Sequence, residues 1–435
     1  MSKLVRGFVA ASLTAGGLLL GSTTGAVATT GVTATDWPMF HHDANHLGAT
    51  PDTAVSATAA KRMKVAWRAH VGGGIFGSAA VVFNATLGKS IVYVTGGKNL
   101  QAYDAKTGAP VWTFTAHGLI DSSPAVYNGV VWVGSTAGSV YSVNATTGKQ
   151  ICSFKTTGQI ESTAVVADLG GTDGTVVYIG DNGLKAIGPP DAGNLWAIKA
   201  DDCSMKWKFS AFSAGPAGVY SQTGFAKDAN GRPLVIFGST DNDDAIYALD
   251  ARTGASVWRV QTMVRHDSDV GAGPTISAPG VNGFPDGVVY ETGKDRMVYA
   301  IDLTTGKVIW TFDILTDSPG NNGESQSVAA LVGNQLFLGW GGGVYDLNAV
   351  TGAKIWKVSN LPDVISSPSV SGPANDQVLI VGDMNGGIHG LDLHGNAVFN
   401  IVTSGMILAS PAVSGNMAYV GGATAGTFYA LKPGR

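Results

Sequence analysis

The fold is decided by one phrase, AYDAKTGAPVW at 102–112, which returns as ALDARTGASVW at 248–258 and AIDLTTGKVIW at 300–310. A small residue, an Asp two places on, then Thr-Gly, and a Trp after three more residues recur at constant spacing. Weaker copies are SVNATTGKQIC at 142–152, AIKADDCSMKW at 197–207, DLNAVTGAKIW at 346–356 and the shortened GLDLHGNAVF at 390–399. Trp67 stands before them without the rest of its motif, and ALKPG at 430–434 begins a copy that is not completed. The closing aromatic or cysteine positions are 67, 112, 152, 207, 258, 310, 356 and 399, spaced 40 to 55 residues apart. Self-similarity at that period marks a repeat architecture in which each unit buries its apolar faces against its neighbours.

Two more strand-like segments lie between successive copies. One is Ser123-Pro124-Ala125-Val126, repeated as Ser367-Pro368-Ser369-Val370 and Ser410-Pro411-Ala412-Val413. The other is a β-branched and aromatic run ending in Gly, at 130–134, 176–180, 288–293 and 378–382. Each unit therefore holds four short strands, the content of a propeller blade. Proline fits the innermost strand, where one edge faces the central channel and a missing N–H is tolerated. The unmatched strand at 64–70 around Trp67 can complete the blade that 430–434 leaves open, which closes the ring and leaves no free edge. The reading is an all-β chain: an eight-bladed β-propeller over 63–435, with four-stranded antiparallel blades and the N-terminal strand paired into the C-terminal blade.

Composition agrees. Charged residues are 13% of the chain, about half the usual ~25%. Glycine is 61 of 435 residues, about twice the usual ~7%. Such a chain is poorly suited to exposed helices, which need charged faces and lose stability at glycine. The net charge of −4 supplies no basic field for nucleic acid.

The N-terminus carries Lys3 and Arg6, an apolar stretch at 8–20, and small-residue cleavage sites at Ala26-Val27-Ala28 and Val32-Thr33-Ala34. This reads as a signal peptide over 1–34, cleaved after 28 or 34, and implies secretion or another extracytoplasmic location. The apolar stretch is too short and interrupted for a retained span, and no cysteine near the cleavage region offers a lipid anchor. A soluble, monomeric protein without a stable membrane anchor is expected.

The A-x-D-x-x-T-G-x-x-x-W phrase resembles the tryptophan-docking motif of the PQQ-like repeat propellers. These include quinoprotein alcohol dehydrogenases and outer-membrane assembly lipoproteins of the BamB type. The resemblance covers about residues 36–435. It implies that each aromatic stacks on the Thr-Gly turn of the following blade, assigning structural docking to Trp67, Trp112, Trp207, Trp258, Trp310, Trp356 and Phe399. Cys152 stands where a docking Trp belongs and Cys203 where the next docking Gly belongs. In the family these positions touch, so the resemblance implies a Cys152–Cys203 disulfide, worth roughly 3–4 kcal/mol by chain entropy. The segment Asp36-Trp37-Pro38-Met39-Phe40 with His41, His42, Asp43 and His46 is similar to the family's N-terminal strap, here 35–62. Its histidines are read as strap residues, not as a metal site. Asp241-Asn242-Asp243-Asp244 lacks the central Gly and final Glu of a calcium loop and reads as a turn.

Propellers bind ligands at the channel mouth. Aligned on the S-P-x-V core, the residues leading into the innermost strands are Phe76, Asp121, Glu161, Tyr220, Gly271, Glu324, Ile365 and Leu408. With Arg265, His266, Asp267 and Asp269 in a neighbouring loop, this ring is the candidate ligand site: Asp121, Glu161, Tyr220, Arg265, Asp269 and Glu324. Carboxylates there suit a hard cation or a general base. The plainer reading is a hydrated funnel without a ligand.

No catalytic residue is assigned. The chain has no vicinal cysteine pair, no C-x-x-C-H haem motif, no G-x-S-x-G, no P-loop and no H-E-x-x-H. The motif shared with the dehydrogenases is scaffold, and scaffold does not carry activity. The expected function is a non-catalytic binding or scaffold propeller without cofactor or metal, whose partner is a protein, a peptide or an envelope polymer. Irregular insertions at 184–194, 212–218 and 263–269 supply loops for that role. The alternative is a quinoprotein alcohol or sugar dehydrogenase that uses PQQ and calcium without haem.

Overall fold

The computed structural model describes residues 35–50, 54–183, 193–211, 218–240, 243–263, 265, 268–319 and 326–434. The proposed signal segment, the loops at 184–192 and 212–217, and His266, Asp267 and Glu324 lie outside them.

The repeated phrase is a turn with its own internal hydrogen bonds. Asp104 accepts the N–H groups of Lys106 and Thr107 on its side chain, and Gly108 closes the turn onto the Asp104 carbonyl. Gly108 sits at φ 74°, a left-handed conformation that favours glycine. Asn144, Asp250, Asp302 and Asn348 build the same turn in other repeats. Each turn joins the third strand of a blade to its fourth.

The described strands form eight four-stranded antiparallel sheets arranged as blades. Blade 1 is Ala80–Asn84, Lys89–Gly96, Asn99–Asp104 and Pro110–Thr115, innermost strand first. Blades 2 to 7 begin with the innermost strands Ala125–Tyr127, Val165–Asp168, Gly224–Lys227, Thr275–Ser277, Ala330–Val332 and Ser369–Ser371. Blade 8 is Ala412–Ser414, Met417–Gly421, Thr427–Pro433 and, outermost, the N-terminal strand Met63–His70. Trp67 pairs with Ala430 as Trp112 pairs with Ala102, so the eighth motif is split between the two ends of the chain. Second strands such as Pro233–Gly238 are buried throughout, whereas fourth strands such as Gln150–Lys155 alternate between exposed and half-buried positions. The core is thus a ring of apolar seams between successive blades.

The seams hold the docking aromatics. A Cβ added to Gly108 would meet the Trp67 ring at 2.6 Å, so glycine is what lets the indole lie flat on the turn. The indole N–H of Trp67 donates to the Ala105 carbonyl of blade 1, and that of Trp112 to Ala145 of blade 2. Phe399 differs: its ring covers Gly390, its cross-strand neighbour in the same blade, and carries no N–H to donate. Between blades 2 and 3, Cys152 and Cys203 form the disulfide, and Cys203 keeps the φ of 59° that the glycine would have had.

The strap closes one end of the channel. Main-chain bonds join Trp37 to Val81 and Pro38 to Val126. Further bonds join Ala44 to Phe225, Asn45 to Ile276, Leu47 to Leu331, and Gly48 and Thr50 to Val370. The acceptor or donor in each case is the same position of an innermost strand, so residues 37–50 cross the inner edges of blades 1, 2 and 4 to 7. His46 reaches the Pro274 carbonyl, and the two ring nitrogens of His41 face the carbonyls of His46 and Pro368. Those carbonyls favour ring protonation at His41, but burial outweighs them and pushes its pKa down to about 4, as it does for His46. These histidines pin the strap to the entries of the innermost strands of blades 7 and 5.

Candidate functional site

The channel is a one-ended funnel of about 290 Å³. Its floor is Phe40 of the strap, buried with Ala272 and Val328. Above the floor runs a hydrogen-bonded belt made by residues two positions before the innermost strands. The Ser78 N–H donates to Ser123 Oγ at 2.9 Å, Ser123 N–H to Thr163 Oγ1 at 3.1 Å, and Thr163 N–H to Gln222 Oε1 at 3.0 Å. On the far side Val328 N–H donates to Ser367 Oγ, Ser367 N–H to Ser410 Oγ, and Ser410 N–H to Ser78 Oγ, at 3.0, 2.8 and 2.8 Å. Six blades are thus capped at the inner end by a neighbour, through the serine of the S-P-x-V phrase at Ser123, Ser367 and Ser410 and through Ser78, Thr163 and Gln222 at the same position.

The rim carries Phe76, Asp121, Glu161, Tyr220, Gly271, Gln326, Ile365 and Leu408. The sixth member is Gln326 and not Glu324. Ser327 Oγ accepts the Gly339 N–H at 3.0 Å as Ser122 Oγ accepts that of Gly134 at 2.8 Å, which sets the register two residues from the expected one. The sixth repeat has no proline at this point to mark it. Phe76, Leu408 and Ile365 make one side of the rim apolar, and Phe76 is 48% exposed. Asp121, Glu161 and Tyr220 make the other side acidic.

Burial raises the pKa of Asp121. Burial raises that of Glu161 too, and the nearby Asp121 charge raises it further, while a hydrogen bond from Asn182 opposes the shift. Two half-buried carboxylates of adjacent blades therefore share one electrostatic field, and no described lining residue is a cation. Tyr220 donates its O–H to Asp269 Oδ2 at 2.7 Å, and Lys294 Nζ lies 3.0 Å from the same oxygen. Asp269 thus stands behind Tyr220 and orients its ring. Arg265 does not belong to the funnel. Its guanidinium binds Asp313 at 2.8 Å, at the end of the outermost strand of blade 5.

One buried acid gave no motif signal. Glu291 lies on the second strand of blade 5, where the other blades place Val94, Val133, Ile179, Phe237, Leu338, Val381 and Val420, all buried. Blade 6 offers Val328 at the belt, which cannot accept a hydrogen bond, so Gly273 N–H donates to Glu291 Oε1 at 2.8 Å. Glu291 Oε2 has no hydrogen-bond partner among the described residues. Burial pushes this carboxyl up to about 8. Comparison of the second strands position by position would have exposed it; the strand reads Val-Val-Tyr-Glu-Thr, and its glutamate breaks an apolar column.

A family model described as outer membrane protein assembly factor BamB matches residues 51–241, 242–337 and 341–433. The chain belongs to this family of PQQ-like repeat propellers. It is 21% identical over 389 residues to outer membrane protein assembly factor BamB of Yersinia pestis, covering 84% of this chain and 88% of that protein. It is 25% identical over 268 residues to the tetrathionate hydrolase of Acidithiobacillus ferrooxidans, covering 59% of this chain. The match spans about half, 48%, of that hydrolase. Among solved structures, a europium-containing methanol dehydrogenase superposes with a TM-score of 0.75 at 14% identity, covering 92% of this chain and 98% of the other. That likeness shows the shared fold.

The funnel of this family member can be tested against the cofactor of the dehydrogenase branch. Pyrroloquinoline quinone is a planar tricarboxylate and needs positive charge or N–H donors on the wall. Among the described residues, the ionisable ones lining the funnel are Asp121, Glu161 and Tyr220, and no Lys or Arg lines it. The residues present do not fit the cofactor. Calcium takes roughly 6–8 oxygen ligands, and among the described residues no cluster of three or more His, Cys, Asp or Glu is placed to hold a metal ion.

Proposed function

We propose that the protein works outside the cytoplasm as a non-catalytic binding propeller, and that the funnel takes a cationic group on an apolar stem. A lysine or arginine side chain of a protein or peptide partner has this chemistry. The observation that carries the reading is the divided rim, acidic at Asp121 and Glu161 and apolar at Phe76, Ile365 and Leu408, over a closed floor. Long cationic side chains bury their stems on apolar surface and keep the charged head among polar groups. A half-desolvated carboxylate pair attracts such a head more strongly than an exposed one. The same acidity disfavours tetrathionate, a dianion, and so the hydrolase's substrate.

Two measurements check this. Asp121→Asn with Glu161→Gln is expected to weaken binding of a lysine- or arginine-bearing peptide at least tenfold in calorimetry, with the melting temperature little changed. Affinity for that peptide is expected to fall on acidification, because burial makes both carboxyls take up a proton more readily than free ones and their neutral forms no longer attract a cation. Unchanged affinity in the double variant would remove the funnel from the account. For export, N-terminal sequencing of protein recovered from outside the cytoplasm is expected to begin at Thr29 or Thr35; an intact Met1 on that material would contradict a cleaved signal.

A further inference from the structure

Two sets of hydroxyls surround the lower channel, one residue apart in the chain. Ser122 Oγ donates to the Gly134 carbonyl at 3.0 Å and accepts the Gly134 N–H at 2.8 Å. Ser162, Ser221 and Ser366 make the same double contact with Gly180, Gly238 and Gly382 on the second strands of their blades. The belt hydroxyls are used only once. Ser78, Ser123, Thr163, Ser367 and Ser410 each accept one main-chain N–H, and none gives its own O–H to an acceptor among the described residues. A main-chain N–H cannot accept in return, so five O–H donors are left over. They belong to five successive blades, 7, 8, 1, 2 and 3. All five residues line the funnel and are otherwise buried, 3–4% exposed. Gln222 of blade 4 extends the arc, because its Oε1 takes the Thr163 N–H and leaves its amide N–H groups to donate.

Buried donors without an acceptor mark a place where one belongs. Asp121 and Glu161 stand two residues before Ser123 and Thr163, so the rim lies at most about 7 Å of chain above the belt. A lone anion at the belt would be repelled by this acidic pair. An anion whose own molecule brings a cation to the pair would not. The floor is closed by Phe40, so a partner chain cannot run through the funnel. Only a side chain or a chain end reaches the belt.

We infer that the belt is a carboxylate subsite, and that the funnel takes the last residue of a partner chain ending in lysine or arginine. The terminal carboxylate sits on the belt hydroxyls, and the side-chain cation sits at Asp121 and Glu161. Converging donors are a recurrent device for capturing a C-terminal carboxylate, and hydrogen bonds to an ionised acceptor are stronger than neutral ones. The flexible four-carbon stem of lysine lets its nitrogen reach the rim while the carboxylate stays below. Hydroxyls without a neighbouring cation suit one carboxylate that carries its own counter-charge, not the three of pyrroloquinoline quinone. The inference rests on the acidic pair as the seat of the cation and adds the carboxylate to it.

Calorimetry of the mature chain with a short peptide ending in lysine tests the inference. The comparisons are its C-terminal amide, the same peptide extended by two glycines, and a free acid with norleucine in place of the lysine. The lysine acid is expected to bind 1:1, at least tenfold more tightly than the amide or the extended peptide. Ser123→Ala with Ser410→Ala should remove the preference for acid over amide and keep the preference for lysine over norleucine. Equal binding of acid and amide by the native chain would overturn the carboxylate subsite and leave the cation reading standing. Equal binding of lysine and norleucine acids, with acid still preferred over amide, would overturn the cation reading and leave the subsite standing. No binding of any of these peptides would overturn both. The acid and amide are compared on the native chain, so the test stands whether or not the double variant folds.

Discussion

Replacing Cys152 and Cys203 together by serine is expected to lower the unfolding free energy by about 4 kcal/mol, from the loop entropy of a bridge spanning 51 residues. The bridge links the outermost strand of blade 2 to the third-to-fourth strand turn of blade 3. No docking aromatic shares that seam, so nothing takes over when the bond is lost. Urea titration of native, reduced and double-serine protein measures the effect. Reduced and double-serine forms should unfold at nearly the same denaturant concentration, well below the native midpoint. A loss under about 1 kcal/mol would mean that the seam is held by its apolar packing and not by the covalent link.

Native protein is also expected to lose stability as pH rises from the mildly acidic range to about 8, and Glu291→Gln is expected to remove much of that loss. The sign follows from the raised pKa. An unfolded Glu titrates near ~4.3, whereas burial holds Glu291 up to about 8 in the fold. Between those values the folded chain keeps a proton that the unfolded chain gives up, so folding weakens with increasing pH. Within that window each pH unit takes away about 1.4 kcal/mol. Above about 8 both states are ionised and the slope disappears. Asp346, pushed up by burial to about 7, adds to the slope in the same direction over a lower range. Glutamine keeps the shape and the oxygen that Gly273 uses, but does not titrate. Its advantage over the native chain should grow with pH and level off above about 8. Parallel melting temperatures for the two proteins from pH 5 to 9 would contradict a buried, proton-holding Glu291.

The scaffold was legible because its signals are local. Asp104, Thr107 and Gly108 make their turn within a few residues, and Trp112 follows at a set distance, so repeat count and blade order could be read from spacing. Ring closure by Trp67 and the pairing of Cys152 with Cys203 came from repeats that were incomplete or altered at known positions. The site was harder to read because its members meet through the ring closure. Gln326 took the place of Glu324 because the sixth repeat has neither the proline nor a polar residue at the belt position, where Val328 stands, and the Ser327 clip to Gly339 sets its register. Arg265 was drawn away by Asp313, 48 residues further along the chain. Glu291 looked like one polar residue in a strand until its column of apolar counterparts was assembled.

With Phe40 on the floor, the funnel opens on the face that carries the rim residues. Here the lining offers negative charge opposite an apolar wall.

The most direct measurement is a calorimetric titration of the mature protein with two peptides alike except for a central lysine or glutamate, followed by pyrroloquinoline quinone with calcium and an alcohol-oxidation assay. The account predicts 1:1 binding of the lysine peptide, at least tenfold weaker binding of the glutamate peptide, and no stoichiometric uptake of the quinone. Stoichiometric quinone binding with alcohol turnover, or preference for the glutamate peptide, would contradict it.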